Sequence, residues 1–266
     1  MKIAVLLKQV PDSQAVRLDP ETGTLRRSET DAVTNPLDLC ALAAAVRLIK
    51  DVPDSSLTAI CMGPSTGEQT LRQALALGAG RAILICDRAC AGSDSYVTAL
   101  ILAAAIERSG PFDLVLTGLR ASDGETGQVG PEIAAKLGWP VITGAESLTR
   151  IRDNLFEVTR SAESEKETLT FRTPALISVA KGIGQADLPR LERKIWARRE
   201  PVTLLTANDL GFSPDEAGLK ASPTRVVRVL HTQLTRRGRM VRITDSAALE
   251  QAREAFTDLL GRKEEE

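Results

Sequence analysis

Residues 113–138 read DLVLTGLRASDGETGQVGPEIAAKLG. Asp113 to Gly118 is a short apolar run of strand type, and Glu132 to Gly138 has the composition of a helix that ends on glycine. Between them Gly124, Gly127 and Gly130 stand three apart among polar residues. Glycines let a backbone approach a bound group with no Cβ in the way. A helix start offers unpaired N–H groups and the positive end of the helix dipole. Thr126 and Gln128 add side-chain donors. The stretch therefore predicts a cradle for the phosphates of a nucleotide; the plainer alternative is a tight strand-to-helix turn. Pro131 suits the first helical turn but makes the entry short or irregular.

The same unit recurs upstream. Ile3-Ala4-Val5-Leu6-Leu7 is a short apolar strand. Val10 to Pro36 is an aperiodic excursion, with a hairpin expected around Glu21-Thr22-Gly23-Thr24. Asn35-Pro36 starts a helix with Leu39, Leu42, Val46 and Ile49 as its apolar stripe; Pro36 fits its first position and Asn35 can cap it. Leu57 to Cys61 and Arg81 to Ile85 are further strands. The helices after them carry Leu71, Ala74 and Leu75, then Val97, Leu100, Ile101, Ala104 and Ala105, the second capped by Asp94. Apolar strands alternating with amphipathic helices indicate an α/β fold: a doubly wound, mostly parallel sheet covered on both faces. Ligands of such sheets bind beyond the carboxyl ends of the strands, near the switch in strand order. Lys8 to Asp12, Asn35 to Asp38, Met62 to Pro64 and residues 121–131 all lie at such ends.

Past Gly138-Trp139-Pro140 the pattern changes to short strands at Glu146 to Ile151, Leu155 to Arg160, Thr168 to Arg172 and Ala175 to Ala180. They predict β-hairpins added to the sheet at about residues 146–180. A basic helix follows at Leu191 to Arg199, and a terminal helix is expected at Ser246 to Leu260. Residues 1–207 are read as the nucleotide-binding domain and 208–266 as a C-terminal arm with its helix. The basic stretches Arg190 to Arg199 and Arg236 to Arg239 read as solvated faces or as docking surface for an acidic partner.

The bulk numbers exclude several classes. A formal net charge of −1 over 266 residues, with 3% aromatics, argues against a nucleic-acid binder. Cys40, Cys61, Cys86 and Cys90 contain no C-x-x-C pair and the only histidine is the distant His231, so no metal site is expected. Nor does a Ser–His or Cys–His pair specify a nucleophile, and no catalytic side chain is assigned. There is no P-loop sequence. Gly182-Ile183-Gly184-Gln185-Ala186-Asp187 lacks the third glycine of a dinucleotide fingerprint, and Pro189 follows too soon for a helix. Without a signal peptide or an apolar run of bilayer length, no membrane insertion is expected, and the expected compartment is cytoplasmic, or a mitochondrion-like matrix.

Three motifs in order carry a resemblance: Lys8-Gln9-Val10-Pro11-Asp12, Asn35-Pro36-Leu37-Asp38, and Asp123 through Pro131. With Leu219-Lys220-Ala221-Ser222-Pro223-Thr224 near the end, the chain resembles the β subunit of electron-transfer flavoprotein, in its prokaryotic branch. The resemblance implies an adenine-nucleotide-binding, Rossmann-like domain that pairs with an α subunit holding FAD. It implies AMP or a second FAD in this chain's own site, near Leu6, Lys8, Asn35, Pro36, Leu37, Asp38, Met62, Gly63, Asp123, Gly124, Glu125, Thr126, Gly127, Gln128, Val129 and Gly130. The loop Gly-Glu-Thr-Gly-Gln-Val-Gly-Pro looks closer to the electron-bifurcating and nitrogen-fixation-associated members, which favours FAD over AMP. By the same resemblance the chain would be an electron carrier and not an enzyme by itself. It would pass electrons from a flavin dehydrogenase, such as an acyl-CoA dehydrogenase, to a quinone reductase or other acceptor. NADH-dependent bifurcation would require flavin in the β site. The family's partner-recognition loop would fall at Lys181 to Leu191, with Ile183 the expected apolar anchor and Leu188 beside it. The rival readings are an AMP- or ATP-sensing module of the same fold, which lacks the hairpins and the arm, and a nucleotide-hydrolase-like enzyme. The latter needs a pyrophosphate loop that Lys8 to Asp12 does not supply.

Overall fold

The computed structural model describes residues 1–12, 17–18, 25–26, 32–50, 52–162, 165–225 and 242–261. The chain divides into two compact units, Met1–Arg225 and Val226–Glu266.

The first unit begins with β1 (Lys2–Leu7), β2 (Gln9–Pro11), β3 (Arg17–Leu18), β4 (Leu25–Arg26) and β5 (Ala32–Thr34). The pairs β2–β5 and β3–β4 are antiparallel, so the excursion before Asn35 doubles back on itself. The turn expected at Glu21 to Thr24 lies outside the described residues. The alternation then runs α1 (Pro36–Ile49), β6 (Ser56–Met62), α2 (Glu68–Leu77), β7 (Arg81–Ile85), α3 (Ser95–Ser109), β8 (Leu114–Gly118) and α4 (Val129–Leu137). Next come β9 (Val141–Arg152), β10 (Leu155–Ala162), β11 (Glu165–Arg172), β12 (Ala175–Val179), α5 (Leu191–Arg199), β13 (Val202–Leu205) and α6 (Gly218–Ala221).

Among the described residues nine strands form one sheet in the order β11-β10-β9-β12-β8-β1-β6-β7-β13. From β9 to β13 every pairing is parallel; β9, β10 and β11 form the antiparallel flap. Alternation along β1 assigns the two faces. Ile3, Val5 and Leu7 pack with Leu42, Leu71 and Leu75 of α1 and α2. Ala4 and Leu6 pack with Val97, Ile101 and Ile133 of α3 and α4. Each large aliphatic side chain buried this way contributes about 1.5–3 kcal/mol.

Three expectations are corrected. β12 is not part of the added flap: it enters the centre of the sheet between β9 and β8, and its five residues are all buried. β13, absent from the sequence reading, extends the opposite edge beside β7. The first unit ends at Arg225 and not at residue 207. Ala207 and Ala217 are buried in the α3/α4 core, and a one-turn helix at Asn208–Leu210 and α6 pack on α3. Residues 208–225 therefore complete the domain.

In the second unit, α7 (Ser246–Gly261) is capped by Asp245, whose carboxylate accepts from Ala248 N at 2.8 Å. It matches the expected terminal helix. Leu249 and Phe256 lie exposed on it. Among the described residues no helix is long and apolar enough to cross a membrane.

Candidate functional site

The strand order reverses at β1. The chain moves outward to β6 and β7 by way of α1 and α2, then returns through α3 to place β8 on the other side of β1. The two ladders flanking β1 have unequal lengths. β1 stays paired with β6 as far as Leu7 opposite Cys61, but with β8 only as far as Val5 opposite Leu116. The sheet splits there, at the carboxyl ends of the strands, where sheets of this type take ligands.

One carboxylate bridges the split. Asp38, in the first turn of α1, accepts from Lys8 N at 2.7 Å on the β1 side and from Gly118 N at 3.1 Å on the β8 side. A third donor, Asn35 Nδ2, lies 2.9 Å away. Asn35 stands at the N-cap position of α1, but its side chain does not cap the helix. Its amide group donates to Asp38 and to Arg120 O (3.0 Å) and accepts from Ser122 N (3.3 Å). Both side chains spend their polar atoms on the protein. They join β1, α1, β8 and the glycine loop, and so shape the mouth.

Gly118 is required by that junction. A Cβ there would overlap Asp38 Oδ1 and would stand 2.8 Å from Leu37 Cβ. Burial pushes the Asp38 carboxyl up to about 7, against the pull of its hydrogen bonds from Asn35, Lys8 and Gly118.

The glycine loop forms the other wall. Glu125 has φ +50° and Gly127 φ +64°, a left-handed turn that reverses the chain before α4. Asp123, Gly124, Glu125 and Thr126 are exposed, and a Cβ on Gly124 would meet nothing within 4 Å. Ser122 N and Gly124 N are bonded to side chains, and Glu125 N to Ala121 O. The amides of Thr126, Gly127, Val129 and Gly130 have no acceptor among the described residues. Four free donors at the head of a nine-residue helix fit an anionic group such as a nucleotide phosphate. Gly130 has a packing role as well, since a Cβ there would press on Thr117 Oγ1 at 3.2 Å and Leu176 Cδ2 at 3.4 Å.

Lys8 closes the mouth from the β1 side. Its Nζ lies 2.7 Å from Asp123 Oδ2, so it is held over the loop and not simply solvated. Gln9 Oε1 accepts from Thr66 Oγ1 at 2.8 Å, tying the strand end to the turn after β6. Gly63, in that turn, faces open space, and Met62 is half-buried against the α3 side. Pro36 lies exposed at the first position of α1, and Leu37 is half-buried against Gly118. Leu6 is buried in the core, so what it can offer the split is backbone past the last β1–β8 pair.

The structure joins the expected residues of the first and fourth crossovers and ties the turn after β6 to Gln9, but it separates two roles. Lys8 and Asp123 to Thr126 are exposed at the mouth; Asn35 and Asp38 are internal braces. The sequence reading missed Gly118, Arg120 and Ser122, which receive those braces. A glycine closing an otherwise apolar strand was the available signal for the first.

The expected partner loop needs correction. Ile183 is not available as an anchor: it is buried in the α1/α2 core, and its carbonyl accepts from Arg47 Nη2 at 2.6 Å. Leu188, in contrast, is 94% exposed. Gly182 to Asp187 forms no nucleotide site; Lys181–Ile183 is a one-turn 3-10 helix followed by Gly184 at φ +106°. All four cysteines are free thiols, and among the described residues no cluster of His, Cys, Asp or Glu could hold a metal. His231 and Arg236 to Arg239 lie outside the described residues.

Comparison with known proteins shows the family. Residues 22–210 match the family model described as electron transfer flavoprotein domain. A β subunit of electron transfer flavoprotein from Thermoanaerobacterium thermosaccharolyticum is 42% identical over 228 residues, covering 85% of this chain and 86% of the relative. The caffeyl-CoA reductase–Etf complex subunit CarD of Acetobacterium woodii is 38% identical over 228 residues, covering 86% and 87%. Protein FixA of Rhizobium meliloti is 39% identical over 236 residues, covering 86% and 80%. The chain belongs to the electron transfer flavoprotein family, as a β subunit of the branch that contains FixA and CarD.

Proposed function

We propose that the split beside β1 holds an adenine nucleotide and that this chain works as one half of a heterodimer with an α subunit carrying FAD. The observation that carries the reading is the row of amides at Thr126, Gly127, Val129 and Gly130 that have no acceptor among the described residues, beside the point where β1 and β8 part. These donors and Lys8 would hold the phosphates. Asn35 and Asp38 would fix the distance between the two walls without touching the ligand. FAD is favoured over AMP by the sequence of the loop.

A bound flavin supplies hydride and single-electron chemistry. The chain's own residues bind and orient. The buried Asp38 carboxyl is engaged by Lys8 N, Gly118 N and Asn35 Nδ2, so its part is to brace the mouth. In this reading the heterodimer takes electrons from a flavin dehydrogenase through a contact at Leu188 and delivers them to a quinone reductase or other acceptor. With FAD in the β site, oxidation of NADH with divided electron delivery becomes available to the heterodimer.

The test is to co-express the chain with its α subunit, purify the heterodimer and identify the released ligands by chromatography. The expected result is two FAD per heterodimer. One FAD and one AMP would transfer the reading to the AMP-binding form, and no nucleotide in the β chain would overturn it.

A further inference from the structure

The chain's exit from the first unit is clasped onto the head of α3. Asp94, the N-cap of α3, accepts from Val97 N at 3.0 Å with one oxygen. Its other oxygen accepts from Thr224 N at 3.0 Å and from Thr224 Oγ1 at 2.7 Å. Asp94 N donates to Ser222 Oγ at 2.9 Å, which in turn donates to Gly218 O. Leu219 N donates to Ala91 O at 3.0 Å. Gly218, at φ +67°, lies so close to the Ala89 carbonyl that a Cβ could not be accommodated, which fixes this approach sterically. The N-cap carboxylate therefore does two jobs, and the second unit begins directly after Arg225.

A second contact joins the clasp to the glycine loop. Glu132 sits in the first turn of α4, two residues past Gly130. Its Oε1 accepts from Ser95 Oγ at 3.3 Å, and Ser95 is the residue after Asp94. Its Oε2 is buried with no partner among the described residues. Burial raises the Glu132 carboxyl and so does the neighbouring Asp94, with the Ser95 bond opposing. A shift of the α4 head by a ligand on its amides would be felt at Glu132, then at the Ser95–Asp94 step, then at Thr224.

We propose that Asp94 holds the closing segment of the first unit, Gly218 to Thr224, at the nucleotide end of the sheet, and that Glu132 is a positioning residue coupling the occupancy of the glycine loop to that anchor. The coupling rests on the nucleotide reading above; the anchor does not. It is a two-sided relation, so a held Gly218–Thr224 segment favours the ligand-bound loop as much as the ligand favours the held segment.

The test uses the full-length chain and limited trypsin, with cleavage after Arg225 followed by mass spectrometry and AMP and FAD affinity measured separately by calorimetry. The double variant Ser222→Ala/Thr224→Val is expected to speed that cleavage about fivefold or more without nucleotide, because it removes the Thr224 hydroxyl's bond to the Asp94 carboxylate and the Ser222 hydroxyl that accepts from Asp94 N and donates to Gly218 O. Equal rates in wild type and double variant would overturn the anchor. Saturating AMP is expected to slow cleavage of the wild type, and Glu132→Gln is expected to abolish that protection while still binding AMP. Protection that survives in Glu132→Gln, or AMP that binds the wild type with no effect on cleavage, would overturn the coupling alone. A wild-type chain that binds neither AMP nor FAD would overturn the coupling together with the nucleotide reading, and the anchor would still be judged by the nucleotide-free comparison.

Discussion

The carboxyl of Asp38 offers a quantitative test of the brace across the split. Its folded value is raised from 3.8 to about 7, chiefly by burial. Between those values the native state holds a proton that the unfolded chain has released. Asp38 therefore contributes stability that is fully present below the unfolded value and is lost as pH rises through about 7. Going from about pH 8 to about pH 5, linkage gives Asp38 a stabilising contribution on the order of 2–3 kcal/mol. Asp38→Asn removes this titration. It also presents an amide N–H where Lys8 N and Gly118 N need acceptors, which leaves at least one buried donor unpaired at about 1–3 kcal/mol. Urea unfolding of wild type and Asp38→Asn across this pH range measures the difference, and all other titrating groups cancel. The gap is expected to widen by about 2–3 kcal/mol at the acid end. A gap of equal size at both ends would refute the reasoning, because the carboxyl would then be ionised throughout.

Gly118→Ala should lower stability by about 1–3 kcal/mol in thermal or urea unfolding, since its methyl has no room beside Asp38 and Leu37. Gly124→Glu, facing open space, should leave stability within about 0.5 kcal/mol yet weaken AMP or FAD binding about tenfold or more in calorimetry, by placing a negative charge in the cradle. Lys8→Met breaks an ion pair that is half-exposed on the lysine side, so stability should move by less than about 1 kcal/mol while nucleotide affinity falls several-fold. Ile183→Ala should destabilise by about 2–5 kcal/mol as a core cavity. Leu188→Asp should leave the unfolding midpoint unchanged and slow reduction of the heterodimer by its dehydrogenase in stopped-flow measurements.

The alternation of strands and helices to residue 137 was legible because each strand is a continuous apolar run, α1 opens on Pro36, and α2, α3 and α4 close on Gly78, Gly110 and Gly138. The placement of β12 was not. Ala175 to Val179 is as apolar as β8, but it follows three alternating strands, and local pattern cannot show that the chain inserts it beside β8. β13 escaped notice because only Leu205 of its four residues is buried, so it lacks the signature of an interior strand. At the site, the glycine loop declared itself through composition. The braces did not: Asn35 has the sequence context of a cap, and only the third dimension shows its amide turned toward Arg120 and Ser122. Ile183 misled because the resemblance placed it in the partner loop, and only the structure shows it buried, with its carbonyl accepting from Arg47 Nη2.

The bonds that shape the mouth join residues distant along the chain. Asp38 to Gly118, Asn35 to Arg120, Asn35 to Ser122 and Lys8 to Asp123 span separations of 80, 85, 87 and 115 residues. On a ribosome the mouth has no second wall until residues past Gly130 have emerged, whereas β1 and β6 can pair much earlier. In refolding, contacts of such long reach form late, after local helices and neighbouring strands have collapsed. On the proposed nucleotide reading, FAD supplied during that step would capture the completed mouth and draw the population forward, so yield of folded chain should rise with its concentration.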